Sequence, residues 1–118
     1  MNILTGNFIG KLDEKGRIVL PSIFRKELSN NNLKIRKDIS KRVLILSTVK
    51  VWTEDLDNIK IYLNEYNDKF LINSRDIKLD VRGRILIPKE FLDYAEINEK
   101  LSFRGKERVI ELWRNEEE

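Results

Sequence analysis

The stretch Lys11-Leu12-Asp13-Glu14-Lys15-Gly16-Arg17-Ile18-Val19-Leu20-Pro21 returns further along the chain as Lys78-Leu79-Asp80-Val81-Arg82-Gly83-Arg84-Ile85-Leu86-Ile87-Pro88. The shared pattern is K-L-D-x-[KR]-G-R-I-[VL]-[LI]-P, and only Glu14 against Val81 is a dissimilar pair. The match runs on through Phe24 and Phe91, and residues 41–46 are similar to residues 107–112. A small unit has therefore been duplicated, and each copy carries an Asp-x-x-Gly-Arg turn. A basic turn presented twice by one small scaffold suits a repeated ligand, of which DNA is the commonest.

Each copy reads as strand, turn, strand, short helix, strand, strand. In the first copy, residues 7–12 form the expected opening strand. Residues 13–16 form a turn in which the Asp13 side chain bonds a nearby backbone amide and Gly16 supplies a positive φ. Residues 17–20 are rich in β-branched side chains and predict a strand. Pro21 stops it and suits the first turn of a helix over residues 22–28, with Ile23, Phe24 and Leu28 close to one face. Residues 29–32 are a turn cluster, and residues 33–36 and 42–46 predict a hairpin around a basic loop. The second copy repeats this plan over residues 76–113, with residues 101–104 and 108–113 as its hairpin. Between the copies, Thr53 reads as an N-cap with Glu54 and Asp55 in the first turn. Leu56, Ile59, Leu63 and Tyr66 then recur at helical spacing and predict one amphipathic helix. The expected organisation is a first unit over 1–48, a connecting amphipathic helix segment over 49–73 and a second unit over 74–118. No Gly/Ser linker parts the copies, so they are expected to form one body.

Of the 118 residues, 41% are hydrophobic, a globular rather than disordered balance. The net charge of +3 is unevenly spread. Residues 1–42 hold ten Lys/Arg against four Asp/Glu, residues 43–77 four against six, and residues 78–118 nine against ten. The N-terminal third is thus the better face for a polyanion, although uneven charge on a solvated surface accounts for the same numbers. The chain has no Cys and no His. That composition removes disulfides, thiol nucleophiles, imidazole bases and ordinary zinc sites together. No long apolar run appears and no signal peptide precedes the first motif, so a soluble, cytoplasmic protein is expected.

Arg17 and Arg84 each follow the turn glycine at the start of a strand, which fixes the stem and lets the guanidinium project. A guanidinium fork pairs bidentately with guanine O6 and N7, or with a phosphate. Lys15 and Arg82, two residues back, are candidates for phosphate contacts, as are Lys11 and Lys78. Asp13 and Asp80 lie four residues before each Arg and can hold it in one rotamer or accept backbone bonds. An oriented Arg loses less entropy on binding than a free one. The plainer alternative is a salt bridge that only closes the turn.

These residues resemble the MraZ family of bacterial transcriptional regulators, built from two AbrB-type (SpoVT/AbrB) units. Besides the two L-D-x-x-G-R-I-x-[LI]-P elements, Gly6-Asn7-Phe8 is similar to the family's opening G-x-[YF]. Pro21-x-x-Phe24-Arg25 is similar to its P-x-x-F-R, and Glu111-Leu112-Trp113 to its terminal E-[IL]-W. The resemblance implies a mostly β fold with short helices (α+β), a duplicated AbrB-like swapped-hairpin-type β-barrel in which the halves play the parts of two AbrB subunits. It implies binding to double-stranded DNA through the Asp13/Arg17 and Asp80/Arg84 turns. It also implies a ring-shaped homo-oligomer on short direct repeats upstream of its own cell-division and cell-wall operon, with repression as the usual output and the nucleoid as its location. The chain departs from the family in being shorter, chiefly between and after the copies, and in Glu14, which leaves the first turn less basic than the second.

Trp52 and Trp113 each follow an apolar strand and read as packing rather than base-stacking residues. Lys34, Arg36, Lys37, Lys41 and Arg42 read equally as a phosphate-contacting cluster or as the solvated end of a hairpin. The carboxylates offer no persuasive catalytic pair, so no enzyme, cofactor, metal or small-molecule substrate is expected. The rival reading is an AbrB-type antitoxin or protein-interaction module, which would be expected to carry one copy of the motif and a longer disordered tail.

Overall fold

Leu33 and Ile35 alternate with Lys34 and Arg36 and turn one apolar edge inward, because successive side chains of a strand point to opposite faces, whereas Leu44, Ile45 and Leu46 are buried in succession, covered on both faces. The computed structural model describes residues 3–28, 30–62 and 67–116. The first copy gives β1 (Asn7–Lys11), β2 (Arg17–Val19), α1 (Ser22–Leu28), β3 (Asn32–Lys37) and β4 (Leu44–Thr48). The helices α2 (Val49–Tyr62) and α3 (Asn67–Ile72) follow. The second copy gives β5 (Ser74–Lys78), β6 (Arg84–Leu86), α4 (Lys89–Tyr94), β7 (Lys100–Lys106) and β8 (Val109–Arg114). β5 and β6 begin and end at the same motif positions as β1 and β2.

Six strands form one antiparallel sheet in the order β1-β7-β8-β4-β3-β5, while β2 and β6 pair as a separate ribbon. The order reads the same from either end once the copies are exchanged. The copies are interleaved: β1 pairs with β7 of the second copy, Phe8 opposite Phe103, and β5 pairs with β3 of the first, Ile77 opposite Leu33. β1 and β5 are the two edges, so the sheet is open.

One core serves both copies. Leu33, Ile35, Leu44, Leu46, Leu101, Phe103, Ile110 and Leu112 bury one face of the sheet. Ile18 and Ile85 from the ribbon and Phe24 and Phe91 from α1 and α4 complete it. Phe24 meets Phe103 edge-on at 6.5 Å between ring centroids. Removing each such side chain from water stabilises the fold by about 1.5–3 kcal/mol.

The structure moves three expected features. Helix α2 starts at Val49, ahead of Thr53, because Thr48 caps it by accepting from Val51 N–H at 3.2 Å. Thr53 lies inside the helix and donates its hydroxyl to the Val49 carbonyl at 2.8 Å, the back-bonding open to a mid-helix Thr. Pro21 and Pro88 stand just before α1 and α4 rather than within their first turns, and their carbonyls accept the opening amides. Third, residues 67–72 form a helix of their own, α3. Of the expected amphipathic stripe, Leu56 is buried and Ile59 half-buried, whereas Leu63 and Tyr66 lie outside the described residues. Ser29, in the expected turn cluster, also lies outside them. No helix among the described residues is long and apolar enough to cross a membrane.

Candidate functional site

The two turns are built alike. Asp13 Oδ1 accepts from the amides of Lys15 at 2.9 Å and Arg17 at 2.8 Å, and Asp80 Oδ1 does the same for Arg82 at 2.9 Å and Arg84 at 2.8 Å. The backbone closes beneath them, with Gly16 N–H on the Asp13 carbonyl at 3.1 Å and Gly83 N–H on the Asp80 carbonyl at 3.0 Å. Gly16 and Gly83 take φ of 84° and 76°, a region that a Cβ disfavours. The second carboxylate oxygen holds the guanidinium: Arg17 Nε donates to Asp13 Oδ2 at 2.7 Å, and Arg84 Nε to Asp80 Oδ2 at 2.9 Å. Both roles weighed for the Asp, orienting the Arg and satisfying the backbone, are therefore performed at once. Because the bond uses Nε, the Nη groups have no hydrogen-bond partner among the described residues and stay free for a bidentate acceptor.

The ribbon puts the two arginines on one face. Ile18 pairs with Ile85 and both point into the core, so residues one step away point outward. Arg17 lies opposite Leu86, and Arg84 opposite Val19. The outer face is thus a diagonal pair of half-buried guanidinia alternating with two exposed aliphatic side chains. Each copy also closes the other's turn, since Leu20 N–H donates to the Gly83 carbonyl at 2.9 Å and Ile87 N–H to the Gly16 carbonyl at 3.1 Å.

Asp13 and Asp80 are held below the ordinary carboxylate range. The amide of Arg17 or Arg84 is the largest cause; partial desolvation opposes it, and the guanidinium bond and the second amide add to it. Both therefore stay ionised at neutral pH.

Lys15 and Arg82 are exposed at the turns. Lys11 and Lys78 are exposed at the ends of β1 and β5, each two residues before its Asp. The basic cluster of the first hairpin does not form a patch. Lys34 pairs with Asp76 at 2.7 Å and sits over the Trp52 ring, Arg36 lies between Asp55 and Phe70, and Lys37 faces Glu90. Lys41 turns back on Glu111 at 3.1 Å and Arg42 on the Tyr94 carbonyl at 3.2 Å. Both tryptophans are half-buried and hydrogen-bonded, Trp52 Nε1 to Ser74 at 3.0 Å and Trp113 Nε1 to Glu111 at 2.8 Å, as packing residues would be.

Sequence reading gave Arg25 no role beyond its place in the P-x-x-F-R pattern. In the structure it reaches from α1 of the first copy onto the second copy's turn, so closely that a Cβ on Gly83 would lie 2.0 Å from its Nη1. The signal was available as a mismatch: position 25 is Arg, whereas position 92, its counterpart in the second copy, is Leu. Leu92 occupies the equivalent place beside Gly16.

Comparison with known proteins supplies the class. The family model described as "MraZ protein, putative antitoxin-like" matches residues 70–117. A "Transcriptional regulator MraZ" of Phocaeicola vulgatus is 37% identical over 94% of this chain and 79% of its own. One from Bacteroides fragilis is 36% identical over 94% and 77%. The solution structure of PHS018 from Pyrococcus horikoshii aligns over 98% of each chain at 14% identity, with a TM-score of 0.40 too low to carry weight. The relatives thus share the name of transcriptional regulators. The chain belongs to the MraZ family.

Proposed function

We propose that this chain is a sequence-specific, DNA-binding transcriptional regulator whose contacts run through the two Asp-held arginine turns. The carrying observation is the pair of guanidinia on one face of the β2–β6 ribbon, each fixed through Nε with its Nη groups free. Arg17 and Arg84 read base edges, Lys15 and Arg82 hold phosphates with Lys11 and Lys78 beside them, and Asp13 and Asp80 orient the arginines. A two-stranded ribbon fits the major groove, where guanine offers the O6/N7 acceptor pair.

The finer reading is an AbrB-like swapped-hairpin fold, its open sheet covered by the β2–β6 ribbon rather than closed into a barrel, in which residues 1–48 and 74–118 act as two fused subunits. The crossed pairings of β1 with β7 and β5 with β3 support it. On this reading the protein is cytoplasmic and nucleoid-associated. It assembles as a ring and represses its own operon through short direct repeats, weak single contacts adding by effective concentration.

The test is a gel-shift titration, at near-physiological salt, on the duplex upstream of this protein's own gene against a shuffled duplex of equal composition. Preference for the native duplex, lost in a folded R17A/R84A double variant, is the expected result. Equal binding to both duplexes, or a double variant that still discriminates, overturns the assignment. A second reading, an antitoxin or interaction module, rests on the family model's description. Failure to bind either duplex, together with a co-purifying toxin, would favour it.

A further inference from the structure

We infer that Arg25 is a DNA-phosphate ligand of the second turn, supplied by the first copy, and that the two turns therefore grip DNA unequally. This inference rests on the DNA-binding reading above and adds a residue which that reading leaves out.

The geometry sets the side chain in place. Arg25 is half-buried near the C-terminal end of α1, and Gly83 is the buried glycine of the opposite copy's turn. A Cβ on Gly83 would meet Arg25 Nη1 at 2.0 Å and its Cδ and Cζ at 2.9 Å, so the guanidinium lies directly over that backbone. Arg25 shares an open hollow with Asn31, Asp80, Val81 and Arg82. Among the described residues no carboxylate lies within 4.0 Å of it, whereas eleven other pairs between cations and carboxylates do form. A half-buried, unpaired guanidinium has lost part of its hydration, and a phosphate oxygen restores it with charge-assisted hydrogen bonds.

At the first turn the corresponding place is filled by Leu92, 3.8 Å from a Cβ built on Gly16. The turns thus differ in charge as well as shape. Turn two gathers Arg25, Arg82 and Arg84 against Asp80, and turn one has Lys15 and Arg17 against Asp13 and Glu14. An otherwise two-fold scaffold becomes directional, with the second turn holding the backbone more strongly.

The test is fluorescence-anisotropy binding of the native upstream duplex across a salt series, comparing the full-length chain with R25L, R25K and L92R. Each phosphate contact contributes about 0.9 to the slope of log affinity against log salt. R25L should lower affinity several-fold and flatten the slope by about one contact, R25K should keep the slope, and L92R should steepen it. Wild-type affinity and slope in R25L, with no gain in L92R, overturn the inference while leaving the DNA-binding reading intact. A slope lost equally in R25L and R25K also overturns it, because packing and not charge is then responsible. Should R25L fail to fold, L92R alone decides by gain or no gain. Wild-type protein that binds no duplex removes the underlying reading itself.

Discussion

The backbone N–H of Leu20 donates to the carbonyl of Gly83 at 2.9 Å, so a strand of one copy completes the turn of the other. A fragment of residues 1–48 lacks that partner and also the β7 strand on which β1 pairs. It should not fold as a monomer. Light scattering with circular dichroism is expected to find either an unfolded chain or an association of two fragments; a folded monomer would refute the dependence.

The turn glycines should differ in cost. Ala at a positive φ is strained by about 1–2 kcal/mol, which is the full expectation for G16A, where a Cβ meets nothing nearer than 3.4 Å. G83A must also displace Arg25. Urea unfolding should rank G83A as slightly the less stable, by no more than it takes to swing the flexible Arg25 side chain aside, and a G83A clearly more stable than G16A would contradict the close approach.

Asp13 and Asp80 have folded pKa values below the ordinary 3.8. Their stabilising effect is therefore fully present above the unfolded pKa and disappears as the pH falls through the lower folded one. Carboxyl-carbon NMR titration should give both a midpoint below 3.8, with loosening of the turns only in stronger acid. A midpoint at or above the ordinary value would mean that the amide and guanidinium bonds do not form in solution.

Phe91 is fully buried in the shared core, whereas Ile72 is 69% exposed. F91A should cost about 3–5 kcal/mol, a large part of a typical domain stability of about 5–15 kcal/mol. I72A should stay within about 0.5 kcal/mol. Chemical denaturation of the two variants checks the contrast.

The strands, the turns and α1 were legible in the sequence because their signals are local: a β-branched run, a carboxylate shortly before the amides it accepts, a glycine at the positive φ. Helix α2 was shifted because Thr48 and Thr53 are equally good caps by type, and only the end of β4 decides between them. The interleaving of the copies was not legible, since no local pattern says that Phe8 lies opposite Phe103. The basic hairpin residues were ambiguous for the same reason: Asp76, Asp55, Glu90 and Glu111, which engage them, are remote in sequence. Arg25 is the sharpest instance, because its neighbour Gly83 is equally remote along the chain and belongs to the other copy.

The pairing of β1 with β7 sets the order of events at the ribosome. Lys11 finds its partner only at Lys100, and Asn7 only at Arg104. At a synthesis rate of roughly 5–20 residues per second, the opening strand waits about 5–20 seconds for the strand that covers it. During that interval Phe8, Ile9 and the bare β1 backbone are open to chaperones or to a neighbouring nascent chain. Polysomes carrying this message thus hold chains whose opening strand is still unpaired, and the sheet closes only once the second repeat has been made.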